Sequence, residues 1–279
     1  MYHKAYGIIE TLAPLHVGAS AGEETGNLNL IFRDQFTQTG IIPGSSIRGR
    51  FRADMRQSNQ GAENTWYGHE AVKGEADLTS EALVKFEYAS IVWLPVYCPS
   101  QPIVWVSCPR LLTRYQKISG KPKHRFKPYT YFGVKEVSKL FFNLGFIHLQ
   151  SADPDLKHYI PDGLDELAAG EQLVVVVDDC EMPMIHDMAL YRQSRVSLEK
   201  TEKKAKKGAF FDVEALPEGT ILAFPLALRE TGQEKDSWQA YLPDSGFEKS
   251  KELFLGGLES IGFGRTQISL NLYHKEVQS

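Results

Sequence analysis

Residues 42–52 have the sequence Ile-Pro-Gly-Ser-Ser-Ile-Arg-Gly-Arg-Phe-Arg, which joins a turn to the start of a helix. Ser45 or Ser46 is predicted to cap that helix, because a serine hydroxyl can accept a hydrogen bond from one of its first free N–H groups. Every fourth position that follows is apolar: Ile47, Phe51 and Met55. This spacing predicts an amphipathic helix with one buried face.

The same stretch predicts an anion-binding site. The first N–H groups of a helix have no partner within it and carry the positive end of the helix dipole, which suits a phosphate. Arg48, Arg50 and Arg52 follow close behind, and Gly49 is expected to let another backbone approach closely.

A second informative stretch, residues 256–265, has the sequence Gly-Gly-Leu-Glu-Ser-Ile-Gly-Phe-Gly-Arg. A glycine-rich loop of this kind can surround a phosphate. It does not match a dinucleotide-binding fingerprint, because we predict a helix at 249–258 before it and a strand at 266–273 after it, the reverse of what that motif requires.

The segments between these stretches predict more strands than helices. Alternating or continuously apolar runs predict strands at residues 5–12, 89–96, 103–106, 173–177, 220–228 and 266–273. A short helix is predicted at 187–193, and residues 111–150 show no regular period. Few strand–helix alternations occur, which favours an α+β fold with a largely antiparallel sheet.

Composition excludes several classes of protein. The chain has 279 residues, of which 42% are hydrophobic and 24% charged, as in globular proteins. The longest apolar run, residues 221–228, is far shorter than the ~20 residues that span a bilayer. Three cysteines, Cys98, Cys108 and Cys180, do not match a zinc site or a disulfide framework. We therefore expect a cytoplasmic protein.

The net charge of −4 conceals three basic segments. Seven basic residues and no acid lie between Arg110 and Lys127, seven basic residues and two acids between Arg192 and Lys207, and five arginines and two acids between Arg33 and Arg56. Such segregation can place a basic surface on an acidic body, as phosphate binding requires. For the lysines of residues 203–207, a solvated loop is an equally good explanation.

Taken together, the two glycine-containing motifs resemble those of the RAMP superfamily, the RNA-binding subunits of CRISPR effector complexes. The family's I-P-G-S-S-(L/I)-(K/R)-G helix start and its late G-G-x-x-x-x-G-x-G-(R/K) loop both occur here, in that order. Residues 94–96, 105–112 and 208–217 are similar to the repeated backbone subunit of type III complexes, in particular its Cmr-type version.

The resemblance implies a ferredoxin-like (RRM-like) antiparallel core across residues 1–279, with a basic and aromatic lid inserted at about 111–150 and a basic thumb hairpin at 192–207. It implies a ribonucleoprotein of antiviral defence, whose partners are guide RNA (crRNA), complementary target RNA and other effector subunits stacked head to tail. The residues expected to hold RNA are His16, Arg33, Ser45, Ser46, Arg48, Arg50, Arg52, Arg192, Arg195, Gly257, Gly262, Gly264 and Arg265. Ser46 and Gly262 must then face one strand of RNA from the same side of the molecule.

The family pattern is broken at the position that cleaves target RNA. Cleaving members carry an aspartate where this chain has Asn27 or Leu28, and neither side chain holds a divalent cation well. Asp34 and Glu24 are the catalytic candidates, with Glu23 beside them, and a cation such as Mg²⁺ would be needed only if RNA is cut. We expect that the protein binds RNA without cleaving it. The alternatives are a metal-dependent endoribonuclease with displaced acids, or an enzyme that binds a small-molecule phosphate through the glycine-rich loop.

Other polar residues are given structural roles. Asp34 is expected to pair with a neighbouring arginine, and His16 can be structural as readily as RNA-binding. Asp178 and Asp179, near His186 and Asp187, are expected to cap turns and not to hold a metal. The cysteines at 98 and 108 and the aromatic residues Trp66, Tyr67 and Trp93 are predicted to lie in the core.

Overall fold

A computed structural model of the chain describes residues 2–19, 28–58, 62–68, 80–99, 101–143, 145–198, 205–229 and 251–272. The strands are β1 (Tyr2–Thr11), β2 (Leu28–Asn29), β3 (Ile41–Ile42), β4 (Val84–Phe86), β5 (Ala89–Cys98), β6 (Gln101–Ser107), β7 (Thr130–Phe132), β8 (Lys139–Phe142), β9 (Gly145–His148), β10 (Ser151–Ala152), β11 (Leu173–Val176), β12 (Tyr191–Leu198), β13 (Ala205–Ala215), β14 (Ile221–Arg229), β15 (Lys251–Phe254) and β16 (Arg265–Leu272). The helices are α1 (Gly44–Ser58), α2 (Ala62–Tyr67), α3 (Pro109–Ser119), α4 (Asp165–Ala168) and α5 (Met182–Ala189), with 3₁₀ turns at Pro154–Tyr159 and Glu259–Ile261.

The principal sheet has the strand order β10-β7-β11-β6-β5-β14-β1-β16-β15. β1 lies between β14 and β16 and pairs antiparallel with both, so that Ala5 is opposite Leu226 on one side and Leu272 on the other. The β11–β6 and β10–β7 pairs are parallel, and the other pairs along this path are antiparallel. The predicted α+β class with a largely antiparallel, ferredoxin-like core is confirmed.

Helices pack against the sheet, and the buried apolar residues form two separate clusters. Ile47, Phe51 and Met55 of α1 are buried in one cluster, as their spacing predicts. Tyr115 of α3 is buried in the other, together with Trp93. Because adjacent residues of a strand face opposite sides of a sheet, Ala5 belongs to the α1 cluster and Tyr6 packs against the α3 cluster.

Residues predicted to be core are buried. The side chains of Trp66, Tyr67 and Trp93 are at most 3% exposed, and Cys98 and Cys108 are 1% exposed. Burial raises the pKa of the Cys108 thiol well above its ordinary value, which keeps it protonated and unreactive.

Two predicted helices differ from the structure, and one helix of the structure was not predicted. The segment predicted as a helix at 249–258 contains β15, because pairing with β16 overrides local preference. The helix predicted at 187–193 is α5, which ends at Ala189, and Tyr191 already begins a strand. α3 lies in the segment that showed no period, although it has Pro109 in its first turn and a left-handed Gly120 at its end.

The segment predicted as a thumb is a β-hairpin. β12 and β13 pair antiparallel, and β13 also pairs with β2 to form a separate three-stranded sheet. The tip of the hairpin, residues 199–204, lies outside the described residues. Lys203 and Lys204 of the lysine cluster belong to this tip. Division of the chain into one domain with two insertions stays a prediction.

None of the described helices is long and apolar enough to cross a membrane.

Candidate nucleic-acid interface

A surface groove joins the helix start to the glycine-rich loop. Ser46 and Arg50 of α1 line one wall, and Gly256 and Gly257 of the loop between β15 and β16 line the other. The chain that follows β1, residues 16–18, closes one side, and the groove has a volume of about 550 Å³. The expected convergence of the two motifs is therefore present. Gly262 belongs to the same loop but not to the lining of this groove, which we call the glycine-loop groove.

Backbone contacts with the chain after β1 fix the glycine-rich loop. Gly256 has a φ of +77°, and a Cβ at this position would lie 2.2 Å from the carbonyl oxygen of His16. Gly264 has a φ of +87°, and a Cβ there would lie 2.4 Å from the carbonyl oxygen of Leu255. Only glycine tolerates both the positive φ and this proximity.

Three glycine amides of the predicted phosphate cradle are hydrogen-bonded within the protein. Gly257 N–H donates to the His16 carbonyl at 2.9 Å, Gly264 N–H to the Pro14 carbonyl at 2.9 Å, and Gly262 N–H to the Glu259 carbonyl at 3.1 Å. These glycines also leave space beside the loop, because a Cβ on Gly257 or Gly262 would have no atom of the described residues within 4 Å. A sugar–phosphate chain can therefore approach the loop closely.

The arginines of α1 divide between two faces of the helix. Arg50 faces the glycine-loop groove, one turn after Ser46, and its Nη2 atom lies 3.9 Å from Asp54 Oδ1. The Nε atom of Arg50 is buried and has no hydrogen-bond partner among the described residues. An unpaired buried donor beside an open groove suits an anionic ligand.

The other arginines of α1 contact α2. Arg48 donates to the Tyr67 carbonyl through Nε at 3.1 Å and Nη2 at 2.6 Å, which satisfies the end of α2. Arg52 donates to Asn64 Oδ1, and Arg56 pairs with Glu63. Their spacing of four places them on one face, where Arg48 and Arg52 have structural partners. Their phosphate contacts stay predictions.

The helix begins earlier than predicted. α1 starts at Gly44, so Ser45 and Ser46 lie in its first turn and neither is the N-cap. The close backbone approach predicted at Gly49 occurs at Gly44, where a Cβ would lie 2.5 Å from the Phe86 carbonyl oxygen. Gly49 is exposed, with no protein atom near its Cβ position.

The sequence of the chain matches that of a known protein family over nearly its whole length. The sequence model described as the RAMP superfamily matches residues 8–267. The chain belongs to the RAMP superfamily. No curated protein sequence matches it significantly.

Solved structures show the same fold. A chain of the type III-B Cmr-beta complex in its apo state is 18% identical, with a TM-score of 0.71 and 98% coverage of both chains. A chain of the Cmr-beta complex bound to cognate target RNA is 18% identical, with a TM-score of 0.72 and 96% coverage of both. Oligomeric Cmr4 from Pyrococcus furiosus is 18% identical, with a TM-score of 0.68, covering 98% of this chain and 99% of the other.

Two arginines predicted to bind RNA form ion pairs within this RAMP protein. Arg33 pairs with Asp187 at 2.5 Å and with Glu214 at 2.9 Å, and Arg192 pairs with the same Glu214 oxygen at 3.1 Å. Glu214 is 1% exposed, so both guanidiniums compensate one buried carboxylate. This cluster fixes the base of the β12–β13 hairpin to the chain before α1.

His16 has the structural role that was left open. It is 8% exposed, and its Nδ1 atom lies 2.7 Å from the Glu214 carbonyl oxygen. Its other face lines the glycine-loop groove, so it supports the groove as well as the core.

Arg195 and Arg265 form no ion pair within the described part of the chain, and Arg265 is exposed. Both stay predictions as RNA contacts.

Of the catalytic candidates, Asp34 alone lies within the described residues, and its carboxylate caps a turn. Asp34 Oδ1 accepts hydrogen bonds from Phe36 N–H at 2.9 Å and from Thr37 N–H at 2.8 Å. Partial burial raises the pKa of Asp34, but these bonds outweigh it and leave the pKa below its ordinary value. The expected arginine partner is absent among the described residues, and a turn cap replaces it. Glu23, Glu24 and Asn27 lie outside the described residues, and Leu28 begins β2.

The acids near His186 also cap backbone groups, as predicted. Asp179 accepts from Arg110 N–H, Asp178 accepts from Cys180 N–H, and His186 Nε2 accepts from Gly40 N–H at 2.9 Å. Elsewhere in the described residues, His124, Asp153 and Asp155 are close enough to share a cation. They lie outside the glycine-loop groove.

Proposed function

We propose that this RAMP protein is a CRISPR RNA-binding backbone subunit of a type III interference complex, which holds guide RNA and the guide–target duplex without cutting the target. Similar Cmr chains occur in a complex bound to cognate target RNA and in an oligomer, which supports RNA and further subunits as partners. We expect head-to-tail stacking in the cytoplasm, since a contact between two different faces of one chain generates a filament.

One observation carries the RNA-binding part of this proposal. Arg50, with its unpaired Nε, faces the open backbone of Gly257 across the glycine-loop groove. The cation on one wall suits the charge of a sugar–phosphate strand, and the part of the loop at Gly256 and Gly257, which has no side chains, leaves room for the width of the strand. Phe254, Leu258 and Glu259 complete the lining of the groove. Recognition would be independent of base sequence, because phosphates carry no sequence information.

The test compares two arginines of the same helix. Arg50→Ala removes the cation from the groove, whereas Arg56→Ala removes the same charge from the face that contacts α2. Each variant is titrated with labelled guide RNA over a series of salt concentrations. We expect Arg50→Ala alone to weaken binding, by a similar factor for unrelated guide sequences, and to lower the salt slope by about 0.7. Equal affinities for the two variants, or a loss confined to certain sequences, would contradict the placement.

Absence of cleavage is supported by the state of Asp34, whose carboxylate is occupied by a turn. The assembled complex, supplied with target RNA and magnesium, should leave the target intact at this subunit's positions. Specific cuts that disappear in Asp34→Ala or Glu24→Ala would establish the alternative, a metal-dependent endoribonuclease with displaced acids. Binding of a mononucleotide with little salt dependence would indicate the small-molecule enzyme instead.

A further inference from the structure

The basic segment at residues 110–127 is not used by the glycine-loop groove. Its first half is α3, where Arg110, Arg114 and Lys117 follow one another at intervals of four and three residues. These intervals place the three side chains along one face of the helix, over a rise of about 10 Å. The opposite face, with Leu112 and Tyr115, is buried against the sheet.

This basic face of α3 forms one wall of a large cleft. Tyr2–Ala5 of β1 and Pro225–Ala227 of β14 form the other wall, and the cleft has a volume of about 1200 Å³. It lies at the amino end of β1, whereas the glycine-loop groove is lined by residues 16–18, beyond the carboxyl end. A strand of ten residues is about 30 Å long, so the two sites are well separated.

Several cations in the cleft have no ion-pair partner among the described residues. Lys4, Arg110 and Lys117 are exposed and form no ion pair within the described ranges. Arg114 is different: it stacks 4.0 Å above the Tyr88 ring and donates to Ser90 Oγ at 2.9 Å. Arg110 also lies 5.9 Å from the centre of the exposed Phe36 ring, a contact that leaves its charge without an acidic partner. The cleft therefore presents three cations that form no ion pair among the described residues.

The acids of the cleft do not neutralise these cations. Asp179 accepts a hydrogen bond from the backbone N–H of Arg110, which stabilises the start of α3. Glu87 lies 3.9 Å from Arg114. The cleft is lined by five cations and by these two acids, so a surplus of positive charge remains.

The shape and chemistry of the cleft favour a nucleic acid over an acidic peptide. A row of cations along one helix matches a chain that carries a negative charge on every unit. Apolar groups of Pro109, Ile118 and Leu226 line the cleft between the cations, and the Tyr2 ring at its edge is 45% exposed. Flat base faces can pack on such surfaces whatever their sequence.

We propose that the cleft between α3 and the amino end of β1 is a second RNA-binding groove, which holds the phosphates of single-stranded RNA through Lys4, Arg110 and Lys117. It acts on a stretch of RNA other than the one in the glycine-loop groove. A subunit with two such grooves, one at each end of β1, contacts RNA over a larger surface than the glycine-loop groove alone provides.

The experiment uses the full chain freed of nucleic acid, with labelled polyuridine as the probe. A cleft variant combines Lys4→Ala, Arg110→Ala and Lys117→Ala. A matched control combines Lys123→Ala, Arg125→Ala and Lys127→Ala, which removes the same charge from exposed residues of the same basic segment outside the cleft. The cleft variant should lower the slope of log K against log salt by about 2, as expected for three lost single-strand contacts. The control should retain the slope of the unmodified protein.

Equal slopes for the cleft variant and the control would overturn the proposal. It would also be overturned if the cleft variant kept its RNA affinity but lost self-association in sedimentation, because the occupant would then be a second copy of the chain. Lys117→Glu, a single exposed substitution, repeats the test if the triple variant folds poorly. Arg50→Ala reports on the other groove, so the two proposals fail separately, and effects at such distant sites should add in log K.

Discussion

Two adjacent glycines of the loop, Gly256 and Gly257, allow stability and RNA binding to be perturbed separately. Gly256→Ala introduces a methyl group at the position where the loop crosses the chain after β1. Gly257→Ala introduces the same methyl group one residue later, on the wall of the glycine-loop groove. The two changes are chemically identical but meet different surroundings.

Gly256→Ala should destabilise the fold by about 2–3 kcal/mol. The φ of +77° places alanine in the left-handed region, which costs about 1–2 kcal/mol for a residue with a Cβ. The methyl group would lie 2.2 Å from the His16 carbonyl oxygen, so the loop must move away. That movement breaks the 2.9 Å hydrogen bond from Gly257 N–H to the same oxygen, a loss of about 1 kcal/mol.

Gly257→Ala should behave in the opposite way. Its Cβ meets no atom within 4 Å and its φ is not positive, so stability should be unchanged or raised by less than about 1 kcal/mol. RNA affinity should nevertheless fall, because the methyl group occupies the space that we assign to the sugar–phosphate strand.

Urea unfolding gives the free energy of each variant, and fluorescence anisotropy with labelled guide RNA gives its affinity. A Gly256→Ala variant as stable as the unmodified protein would refute the packing argument. A Gly257→Ala variant that binds RNA normally would refute the proposed path of the strand.

Two further predictions concern the buried charges at the base of the hairpin. Glu214→Gln removes the carboxylate shared by Arg33 and Arg192 and should lower the free energy of unfolding by about 1.5–3 kcal/mol. The control Glu218→Gln, at an exposed site, should leave the free energy of unfolding unchanged. Equal urea midpoints for the two variants would refute this prediction. Burial, aided by the charge of Arg33, lowers the pKa of His186 to about 3, so the unfolded chain binds a proton near pH 6.5 that the folded chain does not. Stability should therefore decrease as the pH falls from about 6.5 towards 3, and His186→Gln should flatten this part of the curve measured by urea unfolding at several pH values; an unchanged curve would contradict it.

Local pattern was sufficient for the elements whose burial follows a simple period. The four-residue spacing of Ile47, Phe51 and Met55 predicted the buried face of α1, and the apolar run at 173–177 predicted β11. The glycine-rich loop was also located correctly, since its glycines are required by positive φ and close backbone approach. The strand at Lys251–Phe254 was missed, because its conformation depends on pairing with β16.

The hydrogen-bond and ion-pair partners of the side chains could not be predicted from the sequence. Arg48, Arg50 and Arg52 look equivalent along the chain, but the position of α2 commits Arg48 and Arg52 and leaves Arg50 in the groove. Arg33 and Arg192 are far apart in sequence, and only the fold brings both to Glu214. The signals for α3, Pro109 and Gly120, were present but were obscured by the basic residues between them.

The sequence by itself determined the class of fold, the family motifs and the two stretches that form the glycine-loop groove, because periodicity and backbone conformation depend on neighbouring residues. Tertiary structure alone decided which cations have an internal hydrogen-bond or ion-pair partner. Whether a charge is engaged by an internal partner or available to a ligand depends on which distant groups fold against it. Here that separates Lys4 and Lys117, which form no ion pair among the described residues, from Arg33 and Arg48.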